Sequence, residues 1–323
     1  MLLVTGGAGY IGSHTVRALQ ARGYETLVLD NFVKGHRDLV FGPLVEGDLR
    51  DEALLDGLFE KYPVDGVVHF AAFSLVGESM ADPEAYVTNN VGGTLALLRA
   101  MRRAGVARFV LSSTAAVYGE PLQIPIDEEA PTRPTNPYGE TKLFIETVCR
   151  RYAAAYGLGA IFLRYFNAAG ADPEGHTGEH HVPESHLIPL LLDVALGRRA
   201  SLTVYGSDYP TPDGTCVRDY VHVTDLAEAH VRAVERLEKG GGAAEAFNLG
   251  NGRGYSVAQV VEEVRRVTGH PIPVTPGERR PGDPAVLVAS SARAEEVLGW
   301  RQRYADLSAI VDTAWAWHRR RFS

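Results

Sequence analysis

The chain has 323 residues, 45% of them hydrophobic and 22% charged, the composition of a folded protein of one large or two medium domains and not of a disordered chain. With 40 acidic against 32 basic residues the net charge is −8, so there is no general pull toward nucleic acid or an anionic membrane, and an anionic ligand has to be held by local groups. Two cysteines, Cys149 and Cys216, allow at most one disulfide, which a core of this size does not need; a reducing, cytoplasmic compartment is the expectation.

The first apolar run has no basic flank and is too short for a signal peptide or a membrane span, and no later segment approaches an uninterrupted apolar stretch of membrane length. Short runs rich in β-branched residues at 1–5, 26–30, 64–70, 108–113 and 159–165 predict strands. Helical patterns at 13–22, 51–62, 83–104 and 137–156 lie between them. This alternation predicts an α/β fold with a doubly wound parallel sheet covered on both faces, residues 1–167 forming the first domain. From residue 168 the chain turns rich in Gly, Pro and His, and 168–323 reads as a smaller α/β region with some segments returning to the first domain. There Ser256 to Gln259 has capping-box form, ahead of an apolar helical face that Gly269 ends. A last helical pattern carries Leu307, Ile310, Val311, Ala314 and Trp315 on one face, most simply as core packing.

Gly7-Ala8-Gly9-Tyr10-Ile11-Gly12 matches G-x-G-x-x-G between a predicted strand and a predicted helix. Glycines in that place permit a tight turn and let the backbone approach a pyrophosphate, whose charge rests on the N–H groups of the helix start. Asp30 closes the second strand 18 residues beyond Gly12, where a carboxylate can accept from both hydroxyls of an adenosine ribose and repel a 2′-phosphate. NAD is therefore expected rather than NADP, although Lys34 and Arg37 lie nearby. Asp48-Leu49 can reach an adenine, and Asp48 can equally cap the next helix.

Only four of the 32 basic residues are lysines, so a motif that needs lysine arises rarely by chance. Tyr138 and Lys142 stand four residues apart, just after the helix-starting pair Asn136-Pro137. A phenol beside an ammonium and a positive helix end is expected to be a usable base. Ser112-Ser113-Thr114 ends a predicted strand, where open parallel sheets hold ligands, and a hydroxyl there can bond a substrate oxygen.

Thr5-Gly6-Gly7-Ala8-Gly9-Tyr10-Ile11-Gly12, the Ser112-Ser113-Thr114 strand end, Tyr138-x-x-x-Lys142 and Tyr165-Phe166-Asn167 together resemble the extended short-chain dehydrogenase/reductases. Within that superfamily several further stretches resemble the UDP-glucose 4-epimerase family: His69-Phe70-Ala71-Ala72, Val76-Gly77-Glu78-Ser79, Asn89-Asn90-Val91, Asp208-Tyr209-Pro210-Thr211, Asp213-Gly214-Thr215 and Val217-Arg218-Asp219-Tyr220-Val221-His222-Val223. The similarity runs essentially from end to end.

The resemblance implies a tightly held NAD and a UDP-glucose or UDP-galactose whose C4 is inverted through a 4-keto sugar. It implies that Tyr138 takes the proton of the 4-hydroxyl, that Lys142 bonds the nicotinamide ribose and lowers the Tyr138 pKa, and that Thr114 bonds the reacting oxygen. Cofactor contacts are implied at Gly6, Gly9, Tyr10, Ile11, Gly12, Asp30, Asn31, Asp48, Leu49, Phe70, Ala71, Ala72, Asn89, Ser112 and Tyr165, besides Tyr138 and Lys142. Substrate contacts are implied at Asn167, His186, Leu187, Tyr205, Arg218, Arg280 and Asp283, besides Thr114 and Tyr138. A diphosphate in an acidic protein independently calls for arginine, which Arg218 and Arg280 provide. Stretches 83–104 and 137–156 resemble the helix pair that forms a four-helix bundle between subunits, which implies a homodimer.

Two positions depart from the family pattern: Ser74 stands where many members carry lysine, and His186 where many carry asparagine. Leu287, four residues beyond Asp283, falls where members carry a gate residue, tyrosine excluding N-acetyl sugars and small residues admitting them. An epimerase acting also or mainly on UDP-N-acetylglucosamine is thus one alternative. A sugar-nucleotide 4,6-dehydratase is another, but it needs an Asp-Glu pair after the threonine, where this chain has Ala115-Ala116. A non-catalytic NAD-binding regulator usually lacks the tyrosine or the lysine, and both are present. His176, His180, His181 and His186 crowd one loop, but no cysteine or well-spaced carboxylate is read as completing a ligand set, so no metal is expected.

Overall fold

A computed structural model describes residues 1–280 and 283–323. In chain order the first part contains β1 (Leu2–Thr5), α1 (Tyr10–Ala21), β2 (Thr26–Asp30), β3 (Leu44–Glu46), α2 (Glu52–Lys61), β4 (Gly66–His69), α3 (Val76–Ala81), α4 (Pro83–Tyr86), α5 (Gly93–Arg103), β5 (Arg108–Thr114), α6 (Pro137–Tyr156) and β6 (Gly159–Tyr165). The remainder contains β7 (Asn167–Ala169), α7 (Leu187–Ala195), β8 (Leu202–Tyr205), β9 (Val217–His222), α8 (Val223–Glu238), β10 (Glu245–Leu249), β11 (Gly254–Ser256), α9 (Val257–Thr268), β12 (Val274–Gly277), β13 (Val286–Leu287), α10 (Ala292–Leu298) and α11 (Leu307–Phe322).

Seven strands form one parallel sheet in the order β10-β6-β5-β4-β1-β2-β3. Because side chains alternate along a strand, each buried strand feeds two cores. Leu2 and Val4 point with Val28, Val68, Val110 and Ile161 toward Val16 and Leu19 of α1 and Leu226 and Val234 of α8. Leu3 points the other way with Leu27, Leu29, Val67 and Phe109, onto Leu55 of α2, Leu97 of α5 and Ile145 of α6. Burial on both faces accounts for the continuous apolar runs.

The second part is not a separate bead. β10 extends the large sheet beside β6, and α8 packs against α1. The rest builds a small sheet with β9 at its centre, flanked by β11 antiparallel and by β7 and β13 parallel, while β8 pairs with β12. Helices α7, α9 and α11 close its core around Leu191, Val261, Val264 and Ile310. Ser256 caps α9 with the full capping box, and Gly269 ends that helix at φ 70.

The stretch expected as one helix over 83–104 is helical without a break from Pro83 to Arg103, but it widens in the middle. α4 passes into a π-helical segment at Val87–Gly92 before α5 begins. The buried Asn90 carboxamide explains the widened turn, accepting from Phe73 N–H at 2.8 Å and donating to Phe73 C=O at 3.0 Å. This turn of helix is tied to the loop after β4, and Asn89 is brought to the cavity wall.

Candidate active site

The strand order turns back between β1 and β4, the point at which open parallel sheets hold ligands. There a cavity of about 1210 Å³ runs from the start of α1 across the ends of β4, β5 and β6 to α7 and β9. At its first end the glycines are obligatory. Gly6 has φ +71, and a Cβ on it would lie 2.6 Å from Ala71 N, while a Cβ on Gly12 would lie 2.2 Å from Gly6 O. Gly9 is the N-cap of α1 and offers no capping side chain. Gly9, Tyr10, Ile11 and Gly12 all line the cavity, so the open helix start faces it.

Asp30 is buried at the end of β2, its two carboxylate oxygens accepting from Ala8 N–H at 3.0 Å and Phe32 N–H at 2.9 Å. Burial raises its pKa despite those bonds. The neighbouring cations are already paired, Lys34 with Glu78 at 3.0 Å and Arg37 with Glu46 at 2.6 Å, so neither stands free for a 2′-phosphate. Asn31, Asp48 and Leu49 continue this wall. Asp48 takes Asn31 at 3.1 Å and the Arg50 guanidinium at 2.7 and 2.8 Å; the cap of α2 is Asp51, which removes the capping alternative for Asp48. A dinucleotide fits these groups: a glycine cradle at a helix start, a buried carboxylate beyond it, and Phe70, Ala71, Ala72 and Asn89 along the floor.

In the middle of the cavity β5 and α6 meet. Asn136 caps α6 through Gly139 N–H at 2.9 Å and Pro137 is its first residue, which places Tyr138 and Lys142 in the opening turns. Lys142 is buried and its Nζ donates to Ser112 C=O at 2.9 Å. Burial lowers that ammonium to about 8, against the opposing pull of Glu146. Tyr138 is buried too and shares a hydrogen bond with the Thr114 hydroxyl; burial nevertheless pushes the phenol up to about 12. In the protein alone desolvation outweighs the Thr114 hydroxyl and works against the base expected of Tyr138. Ser112 Oγ is hydrogen-bonded to Tyr165 Oη at the end of β6. Ser113 points to the opposite face of β5 and donates to Glu146 at 2.7 Å, so the three hydroxyls divide between the cavity and the core.

The far end is cationic. Arg218 is buried on β9, bonded to Val217 C=O at 2.7 Å and ion-paired with Asp283. Arg280 lies with its guanidinium carbon 4.2 Å from the ring centre of Tyr205, and Leu287 of β13 stands in register with Arg218. Asn167, Leu187, Tyr205, Arg218, Arg280, Asp283 and Leu287 all face the same cavity as Tyr138 and Thr114. Every residue expected at the site from sequence therefore lines one continuous cavity.

The loop before α7 holds residues that the sequence reading missed. His186 is the N-cap residue of α7, but its ring is turned toward Glu179 and Glu184, at 3.0 and 3.1 Å. His181 lies 3.3 and 3.4 Å from the same two carboxylates. The expectation that no carboxylate completes the histidine cluster is thus corrected; the repeated Glu179-x-His181 and Glu184-x-His186 spacing was the available signal. Burial opposes charge on both rings, but the glutamates outweigh it and hold His181 up to about 9 and His186 up to about 10. His176 and His180 are elsewhere, the first beside Asp172 and the second stacked on His36.

A Rossmann sheet with a dinucleotide cradle, a Tyr and Lys pair at the strand ends and an arginine-lined second pocket define an NAD-binding enzyme of short-chain dehydrogenase/reductase type. Residues 2–250 match the NAD dependent epimerase/dehydratase family, and the chain belongs to that family. It is 56% identical over 322 residues to a UDP-glucose 4-epimerase of Halalkalibacterium halodurans, covering 98% of this chain and 95% of that one. Among solved structures it superposes on UDP-glucose 4-epimerase from Brucella ovis in complex with NAD with a TM-score of 0.95, at 51% identity and covering 98% and 97% of the two chains. The UDP-glucose 4-epimerase of Bifidobacterium longum, in complex with NAD+ and UDP, gives a TM-score of 0.94 at 39% identity, covering 99% and 98%.

Proposed function

We propose that the chain interconverts UDP-galactose and UDP-glucose by inverting C4 of the sugar, with NAD as a resident cofactor. The observation that carries this reading is the placement of Tyr138, Thr114 and Lys142 midway along one cavity, with the dinucleotide cradle at one end and Arg218 and Arg280 at the other. Bound NAD supplies a hydride acceptor that also returns the hydride, and a positive ring charge.

The protein's own part is binding, orientation and proton transfer. Asp30 takes the adenosine ribose and the start of α1 takes the pyrophosphate. Lys142, fixed by Ser112 C=O, holds the nicotinamide ribose. Tyr138 accepts the proton of the sugar 4-hydroxyl and gives it back after inversion, with Thr114 bonded to the same oxygen. Arg218 and Arg280 hold the diphosphate while the sugar turns over. Ala115 and Ala116, directly after Thr114, carry no group able to move a proton, which disfavours the dehydratase reading.

The homodimer reading is supported by exposed apolar side chains along the outer faces of α4, α6 and their surroundings: Met80, Val87, Phe144 and Tyr156 are each at least half exposed. Cytoplasmic location is supported by two unpaired, buried cysteines, and a role in galactose metabolism rests on the proposed UDP-galactose chemistry. The test is a spectrum and an intact mass of the purified protein under native conditions. About one NAD per chain, with a UDP-sugar displaceable by UDP-glucose, supports the reading; a chain that neither retains nor takes up NAD contradicts it.

A further inference from the structure

The loop cluster in the cavity wall offers the donor set of a metal site. His181 Nδ1 lies 3.3 Å from Glu179 Oε1 and 3.4 Å from Glu184 Oε2, and His186 Nδ1 lies 3.0 Å from Glu179 Oε1 and 3.1 Å from Glu184 Oε1. One donor atom from each of the four residues falls within 4.8 Å of all the others. Zinc bonds to nitrogen and oxygen of about 2.0–2.1 Å put the corners of a tetrahedron about 3.3 Å apart, and the histidine–carboxylate separations are of that size, with Glu184 offering a different oxygen to each ring.

The electrostatics also ask for a cation. The side chains of Glu179 and Glu184 are only 8% and 13% exposed, and two buried carboxylates facing one another repel. Two imidazolium ions can balance them, but then each Nδ1 has to donate a hydrogen bond. His186 Nδ1 is hydrogen-bonded to Glu184, but His181 Nδ1, buried and 3.3 and 3.4 Å from the two carboxylates, makes no hydrogen bond among the described residues, so one of the two rings is left without the bond that this balance needs. The nearby Asp172, Glu174 and His176 differ in this respect, because Arg17 lies 3.5 and 3.6 Å from their carboxylates and already serves as the cation.

We infer that Glu179, His181, Glu184 and His186 bind one divalent transition-metal ion of the Zn²⁺ class, through two imidazole nitrogens and two carboxylates. Four protein ligands leave no open position, so the ion is structural. It clasps two working parts together. His186 begins α7, whose first residue Leu187 faces the cavity, and the His181 ring packs edge-on against Tyr10 in the first turn of α1, with centroids 6.1 Å apart.

The experiment titrates the EDTA-treated, NAD-retaining protein with Zn²⁺ and separately with Co²⁺. The expected result is one Zn²⁺ per chain and, for Co²⁺, the strong visible absorption of a tetrahedral site. Glu179→Gln and His181→Gln should each weaken Zn²⁺ binding by about 100-fold or more, since loss of even an outer-shell partner costs about 10–100-fold. Retained NAD absorbance and circular dichroism report that the variants fold. Should they fail to fold, the wild-type Co²⁺ spectrum decides alone. Absence of stoichiometric Zn²⁺ binding, the weak spectrum of hydrated octahedral Co²⁺, or variants that bind as the wild type does would overturn the inference, leaving a pair of protonated histidines.

Discussion

Glu146, one turn of α6 beyond Lys142, closes a two-pronged ion pair with Arg164 of β6, at 2.9 and 2.6 Å, with the two side chains 0% and 4% exposed. The same carboxylate accepts from Ser113 at 2.7 Å, and Arg164 donates to Tyr118 at 2.9 Å. One buried network therefore holds the catalytic helix against both strands that present the cavity hydroxyls.

Glu146→Gln should cost about 3–5 kcal/mol of stability, because it leaves the Arg164 charge buried without its partner. Replacing both by leucine should recover much of that loss. Urea unfolding of the wild type and the two variants measures the difference, and a cost of Glu146→Gln below about 1 kcal/mol would show that the pair is solvated or dispensable.

Tyr138→Phe should leave NAD bound and lower turnover by a factor on the order of 10² or more, since the proton acceptor is gone. Lys142→Ala should combine a rate loss with weaker NAD retention, because the same ammonium is held at the strand end in the cavity wall beside Tyr138. Turnover assays paired with the absorbance of retained NAD separate the two effects. Near-normal turnover in Tyr138→Phe would remove that phenol from the chemistry.

Four buried histidines make the fold acid-sensitive. Burial holds His69 and His222 down to about 3, and His14 and His230 down to about 4. With folded values below the unfolded value of about 6.5, the unfolded chain binds more protons between pH 6.5 and 4, so stability falls as pH falls through that window. Asp219, pushed by burial up to about 6, works the other way over part of it. Four histidine protons against one aspartate proton leave three, so near pH 5 these five groups contribute a slope of about 4 kcal/mol per pH unit. Urea midpoints measured from pH 7 to 4.5 test the sign, and a midpoint that holds level or rises contradicts it.

The parts legible in the sequence were those with a local physical signature. Strands β1, β2, β4, β5 and β6 are buried on both faces, α6 and α9 carry their own caps, and Gly6 and Gly12 stand where a Cβ would meet backbone at under 3 Å. Long-range contacts were not legible. The π-helical widening after α4 accompanies the contact of Asn90 with Phe73, and the rise in the Tyr138 pKa comes from its burial. Glu179 and Glu184 look like ordinary loop acids until the fold turns them onto His181 and His186.

Leu287 stands opposite Arg218 in the β13–β9 register and lines the cavity. A leucine leaves more room there than a tyrosine does. The expected behaviour is a preference for UDP-glucose and UDP-galactose with measurable turnover of UDP-N-acetylglucosamine, which Leu287→Tyr abolishes. Rates on the three sugars in both proteins test it, and an unchanged ratio in the variant would free Leu287 from any part in selection.

The most direct measurement mixes the purified protein with UDP-galactose alone, follows UDP-glucose by chromatography and records absorbance for free NADH. UDP-glucose should form without added NAD and without NADH accumulating, because the hydride leaves C4 and returns to it in every cycle. No UDP-glucose even with NAD supplied, or NADH rising in proportion to product as in an ordinary dehydrogenase, would contradict the assignment.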